Sequence, residues 1–182
     1  MAHSVRVLLI DANTADAAEM REKLAAARGV LFLPHTAGTL TEALGVLGDR
    51  NFDALLIDLE TPGSEGIATL KELQRIAPQT PVLAISSLYD ESEALETVRA
   101  GAQDYLVKSR LNAPALERIL VYCIERQRAK ARTQMQYLVS RVLTESENQA
   151  QAHSRILEVL CEFLEYDFGQ IWVFDPWSAE LI

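Results

Sequence analysis

Up to about residue 125, apolar positions along the chain alternate between two periods. Short, nearly continuous apolar runs occupy 5–10 (VRVLLI), 30–34 (VLFLP), 53–57 (DALLI), 81–85 (PVLAI) and 104–107 (DYLV). Runs of that length read as buried strands. Between them, 15–28, 39–49, 64–77, 90–101 and 112–125 carry the helical period. In the second of these, Leu40, Ala43, Leu44 and Leu47 fall at i, i+3, i+4 and i+7. Asn112 reads as the cap of the last helix, with Pro114 in its first turn. Five βα units with near-continuous apolar strands predict a parallel sheet covered on both faces. Right-handed crossovers make it a doubly wound α/β sandwich.

Past Ile124 the pattern changes. The stretch ERQRAKARTQMQ (125–136) holds four basic residues, good helix formers, and only Ala129, Ala131 and Met135 as apolar members. It predicts a continuation of the fifth helix away from the first domain rather than packed on it. Its heptad signal is weak. Two readings stay open: a solvated connector, or a homodimer-forming element together with the helix before it. YLVSRVL (137–143) regains apolar content, and HSRILEVLCEFLEY (153–166) puts Ile156, Leu160 and Phe163, with Leu157 and Leu164, on one face. FGQIWVFD (168–175) predicts a strand, DPWS a turn, and AELI the start of another strand. A helix and hairpin of that size cannot bury their own apolar faces. The expectation is a second domain that is cut short or leans on another copy.

Composition narrows the function classes. With 49% hydrophobic and 24% charged residues, the chain has ample material for a core and a soluble surface. A net charge of −9 disfavours nonspecific nucleic-acid or anionic-membrane binding, both of which need basic surfaces. No helix-turn-helix or basic patch follows the first domain, so a DNA-binding output is not expected. No apolar stretch approaches the roughly 20 residues of a membrane span, and the N-terminal run meets an acid without a signal-peptide cleavage site. Cys123 and Cys161 lie among helical apolar residues without metal spacing. They read as reduced core residues of a cytoplasmic protein.

The candidate chemistry sits where the strands end. In open parallel sheets, ligands gather at the carboxyl ends of the strands. Those ends carry Asp11, Asp58, Ser86 with Ser87, and Lys108. Each alone has a plain explanation as a cap, a loop acid or a solvated terminus. Together on one sheet edge, two acids and a lysine suggest a site for a divalent cation and a phosphoryl group.

FDALLIDLETPGSEG (52–66) resembles the phosphoacceptor region of response-regulator receiver domains, in which an acid ends the third strand before a Pro-Gly-rich loop. PVLAISS is similar to their fourth strand, which ends in Ser or Thr, and AGAQDYLVK (100–108) to their fifth, with an aromatic three residues before a lysine. The resemblance covers residues 1–125. It implies a flavodoxin-like receiver with strand order 2-1-3-4-5. It also implies that Asp58 takes a phosphoryl group from a histidine kinase or a histidine phosphotransfer protein. Asp11, Asp58 and the main-chain carbonyl of Glu60 would hold Mg²⁺, and Lys108 and Ser86 would meet the phosphoryl oxygens. Ser86 and Tyr105 would act as the switch. The only catalysis implied is the domain's own phosphorylation and dephosphorylation.

Two positions depart from the family pattern. Receivers usually carry a second acid directly after the first, as a metal ligand, where this chain has Ala12; magnesium binding should weaken. The Glu60 carboxylate is a candidate substitute. Ser109 follows Lys108 where many receivers have proline. After a linker helix at 126–147, residues 148–182 resemble the start of a GAF domain, with Trp172 and Trp177 read as core or hairpin packing. The leading expectation is a receiver within a larger sensory protein, such as a histidine kinase or a cyclic-dinucleotide enzyme. The alternative is a pseudo-receiver that acts as a phosphorylation-independent interaction module, on the strength of Ala12. LLIDLET also superficially resembles the nucleophile motif of haloacid-dehalogenase-like phosphatases, which needs Asp at position 60.

Overall fold

The first strand, β1 (Ser4–Ile10), shows how the core is built. Val5, Val7 and Leu9 enter one buried cluster and Leu8 and Ile10 the other, because successive side chains point to opposite faces. The computed structural model describes residues 4–61, 66–164, 168–172, 174–175 and 180–181. After β1 follow α1 (Thr14–Ala25), β2 (Leu31–Ala37), α2 (Leu40–Asp49), β3 (Ala54–Asp58), α3 (Ile67–Ile76), β4 (Val82–Ser86), α4 (Glu91–Arg99) and β5 (Asp104–Val107). A single 3₁₀ turn, Lys108–Arg110, leads to the long helix α5 (Ala113–Glu145). All strand pairs of the first sheet are parallel, in the order β2-β1-β3-β4-β5. This is the expected flavodoxin-like order.

Every residue of β3 and β4 is buried, which is why their sequences read as unbroken apolar runs. On one face, Leu56, Leu83 and Ile85 share a cluster with Met20 and Leu24 of α1 and Leu116, Leu120, Cys123 and Ile124 of α5. On the other, Leu55, Ile57, Val82 and Ala84 cluster with Ala43 of α2 and Leu70 and Leu73 of α3. Helix starts follow local chemistry. Asn13, Thr39 and Asp90 cap α1, α2 and α4, and Asn112 Oδ1 accepts from the Ala115 amide at the start of α5.

Two boundaries differ from the sequence reading. β2 does not stop at Pro34 but runs on to Ala37, with Pro34 opposite Val7. It is an edge strand, where a residue without an N–H is tolerated. The first domain also keeps hold of its last helix one turn beyond Ile124. Gln127 Nε2 donates to the Pro78 carbonyl (3.2 Å), and Arg128 pairs with Asp53 (2.7 Å). YLVSRVL (137–143) lies within α5, in keeping with the linker helix expected over 126–147.

The chain divides into two compact units, Met1–Arg128 and Ala129–Ile182. In the second, α6 (Gln149–Leu164) starts with a reciprocal cap. Asn148 Oδ1 accepts from the Gln151 amide, and Gln151 Oε1 accepts from the Glu147 amide. The strand expected over 168–175 is confined to β6 (Phe174–Asp175), which pairs antiparallel with β7 (Glu180–Leu181); residues 168–172 have no strand pairing. Trp172 is exposed rather than packed. The expected turn and Trp177 lie outside the described residues, as do 62–65 of the Pro-Gly-rich loop.

Candidate functional site

Asp11 follows the last residue of β1, and Asp58 is the last residue of the adjacent β3. Both are buried. Each chain turns sharply after its acid, and the acid holds the turn. Asp11 Oδ1 accepts from the Asn13 amide (2.8 Å) and Asp58 Oδ1 from the Glu60 amide (2.9 Å). These local bonds fix the orientation of both carboxylates and leave Oδ2 of each to a common partner.

That partner is Lys108, directly after β5. Its Nζ lies 2.9 Å from Asp11 Oδ2 and 2.7 Å from Asp58 Oδ2. The Lys23 ammonium of α1 reaches the main-chain carbonyl of Lys108 (3.4 Å) and so ties the 3₁₀ turn to α1. The shortest of the lysine's contacts is to a residue that strand-end reading misses. Asp16 Oδ2 is 2.6 Å from Nζ. Asp16 belongs to the first turn of α1, where an acid is ordinary because it complements the helix dipole. Its sequence position therefore gives no reason to single it out. The usable signal is an acid one turn beyond Ala12, in a helix whose N-terminus starts at the strand ends.

Oxygen atoms of Asp11, Asp16 and Asp58 lie within 4.8 Å of one another. They and Ala12, Asn13, Glu60, Thr61 and Ser87 line a cleft of about 330 Å³. Hard carboxylate oxygens converging at this spacing fit a divalent cation such as magnesium. Burial acts to lower the pKa of Lys108. Its hydrogen bonds to Asp16, Asp58 and Asp11 outweigh that effect and hold the ammonium protonated well above its ordinary range. Burial likewise raises the pKa of Asp11, against the bonds from Lys108 and the Asn13 amide.

Of the remaining expected residues, Glu60 lines the cleft beside Ser87, whereas Ser86 and Tyr105 are not among its lining residues. The Glu60 carboxylate lines the cleft and accepts from the Ser87 hydroxyl (3.1 Å). Ser86, buried at the end of β4, accepts at Oγ from the Leu88 amide (3.3 Å). The Tyr105 hydroxyl shares its single proton between Glu93 Oε2 (2.7 Å) and the Leu88 carbonyl (2.9 Å). Its ring meets Tyr89 edge-on at 6.5 Å. Burial raises the Tyr105 pKa; the negative charge of Glu93 adds to this and the Ser86 hydroxyl opposes it. Ser86 and Tyr105 are thus both attached to the segment after β4, through the amide and the carbonyl of Leu88.

Comparison with known proteins agrees with this geometry. The family model described as "Response regulator receiver domain" matches residues 7–120, more than half of the chain. The chain belongs to the response-regulator receiver family. It is 37% identical over 67 residues to the transcriptional regulatory protein ZraR of Salmonella typhimurium (37% of this chain, 15% of that protein). It is 32% identical over 104 residues to the regulatory protein AtoC of Escherichia coli (57% of this chain, 22% of that protein). The matches therefore span less than a quarter of either relative's length. The receiver domain of the Francisella response regulator 1452 superposes with a TM-score of 0.59 at 27% identity, covering 67% of this chain and 98% of that one.

Proposed function

We propose that residues 1–125 form a working phosphoacceptor. Asp58 takes a phosphoryl group from a phosphohistidine of a histidine kinase or histidine phosphotransfer protein. The observation that carries this reading is the buried Asp58 carboxylate, fixed by the Glu60 amide and paired at 2.7 Å with Lys108 in an open cleft. An Asp58 oxygen attacks phosphorus, the P–N bond breaks, and the imidazole leaves. A carboxylate approaching a phosphoryl group meets like charge, so cations must neutralise the equatorial oxygens. Lys108 supplies one positive charge. Mg²⁺, held by Asp11, Asp58 and the Glu60 main-chain carbonyl, would supply the rest.

Phosphorylation adds strong acceptors beside Ser86. The Leu88 amide donating to Ser86 and the Tyr105 hydroxyl donating to the Leu88 carbonyl make that segment the element whose population shifts. The signal then passes along α5 and the linker at 126–147 to residues 148–182, which we assign as the start of a GAF-like domain. A homodimer through α5 belongs to the same reading, as does a cytoplasmic setting. Among the described residues, no helix is long and apolar enough to cross a membrane. ZraR is named as a transcriptional regulatory protein, but the match covers too little of it to extend that role to this chain.

Incubation with Mg²⁺ and a small phosphodonor tests the proposal. An acid-stable, base-labile gain of one phosphoryl mass should map to Asp58 and be absent from Asp58→Asn. No such gain, together with no metal-dependent beryllofluoride binding, would leave the pseudo-receiver reading instead. No observation among the described residues favours that reading beyond Ala12 itself.

A further inference from the structure

We infer that Asp16 supplies the metal-binding carboxylate that Ala12 lacks, so that the acid normally next to Asp11 has moved onto the first turn of α1. This rests on the phosphoacceptor reading and refines its metal site. Ala12 and Asp16 line the same cleft, and the Ala12 methyl is exposed there, leaving room for a side chain to reach past it. Asp16 fills that room: its Oδ2 joins those of Asp11 and Asp58 on one ammonium.

The inward orientation of Asp16 is not explained by its helix. Asn13 already caps α1, accepting from the Ala15 and Asp16 amides. The nearby i,i+4 ion pair is made by Glu19 and Lys23. Asp16 has Met20 one turn on, with which no pair can form. An acid serving only the helix dipole has no need to point at the strand ends.

Charge and distance fit the role. Three carboxylates against one lysine leave two negative charges, the complement of a divalent cation. Adjacent oxygens of an octahedral magnesium site lie about 3 Å apart and opposite ones about 4 Å. The three oxygens already fall within 4.8 Å of one another, so binding requires only a small contraction. The Glu60 carboxylate is instead engaged by the Ser87 hydroxyl. An acid added at position 12 would put a fourth carboxylate beside these three, raising repulsion in the metal-free protein. Ala12 and Asp16 therefore read as a matched pair.

The test measures metal binding directly on the 182-residue chain, by the electron paramagnetic resonance of free Mn²⁺ and by Mg²⁺ competition. Asp16→Asn should weaken binding about 10- to 100-fold, while Glu60→Gln should change it little. Ala12→Asp combined with Asp16→Asn should restore most of the affinity. That rescue separates a ligand from a structural acid, because a carboxylate at position 12 cannot repair a defect in α1. Wild-type affinity in Asp16→Asn, or a double variant as weak as the single one, would overturn the inference. If wild type binds metal and gains the phosphoryl mass while Asp16→Asn binds equally well, only the role of Asp16 fails. If wild type binds no metal, this inference and the metal-dependent phosphoacceptor reading fall together.

Discussion

Asp11 and Asp58, on neighbouring strands, are held by the same device. Each uses Oδ1 to accept the amide two residues further along and presents Oδ2 to Lys108. The consequence is a pair of carboxylates aimed before any cation arrives, with the lysine ammonium balancing them meanwhile.

Replacing that ammonium should move stability and metal affinity in opposite directions. Lys108→Met leaves Asp11 and Asp58 buried and uncompensated, so urea denaturation in EDTA should show a loss of about 3 kcal/mol. The same change removes a positive charge from the metal's neighbourhood. Mg²⁺ should then bind roughly tenfold more tightly and recover much of the lost stability. A variant as stable as wild type in EDTA would mean that the three carboxylates do not depend on Lys108.

Acid should weaken metal binding earlier than an ordinary aspartate would allow. Burial raises the Asp11 pKa above 3.8, and the protonated carboxyl is a poor ligand. Mg²⁺ affinity should therefore begin to fall while the pH is still above the usual carboxylate range. The sign for metal-free stability is opposite. A raised folded pKa means the Asp11 contribution is full below the unfolded value and is lost as pH rises through the folded one. In EDTA, wild type should gain on Asp11→Asn as the pH falls from neutrality towards 4. Lys108, also raised, keeps its charge throughout that window.

The link between α5 and the base of β3 should make a modest, separable contribution. Asp53 accepts from Arg128 (2.7 Å) and from the Arg6 amide (2.9 Å). Arg128 is 38% exposed in its side chain, and solvent screening limits Arg128→Ala to about 0.5 kcal/mol. Asp53→Ala also leaves the Arg6 amide without its carboxylate and should cost about 1–2 kcal/mol. A double-mutant cycle in urea isolates the shared part.

Gly101 should resist substitution. Its φ of 112° lies in the left-handed region, and a Cβ there would overlap the Gln74 side-chain amide. Gly101→Ala should lower stability by about 1–2 kcal/mol, read from thermal unfolding. An unchanged melting temperature would show that Gln74 swings away and the backbone relaxes at no cost.

The order of elements, the burial of β3 and β4 on both faces, and the polar residues ending the strands could all be read from the sequence. Those signals are local: side-chain period follows from backbone geometry, and a strand end is marked by the residue itself. The second compact unit was less legible. Its apolar residues are short runs, and of the strand expected over 168–175 only Phe174–Asp175 pairs among the described residues.

The sheet order followed from the family resemblance, but which side chains that order brings together belongs to the tertiary structure. Lys108 directly follows β5, yet with β5 at the sheet edge its long side chain reaches past β4 to Asp58 and Asp11. Asp16 lies 92 positions from Lys108 and looked like any first-turn acid. Only the packing of α1 against the sheet brings its first turn to the strand ends and turns that acid towards the lysine. In the sequence, two acids and a lysine mark one end of the sheet as a candidate cation site; the packing of α1 adds the Asp16 carboxylate to them.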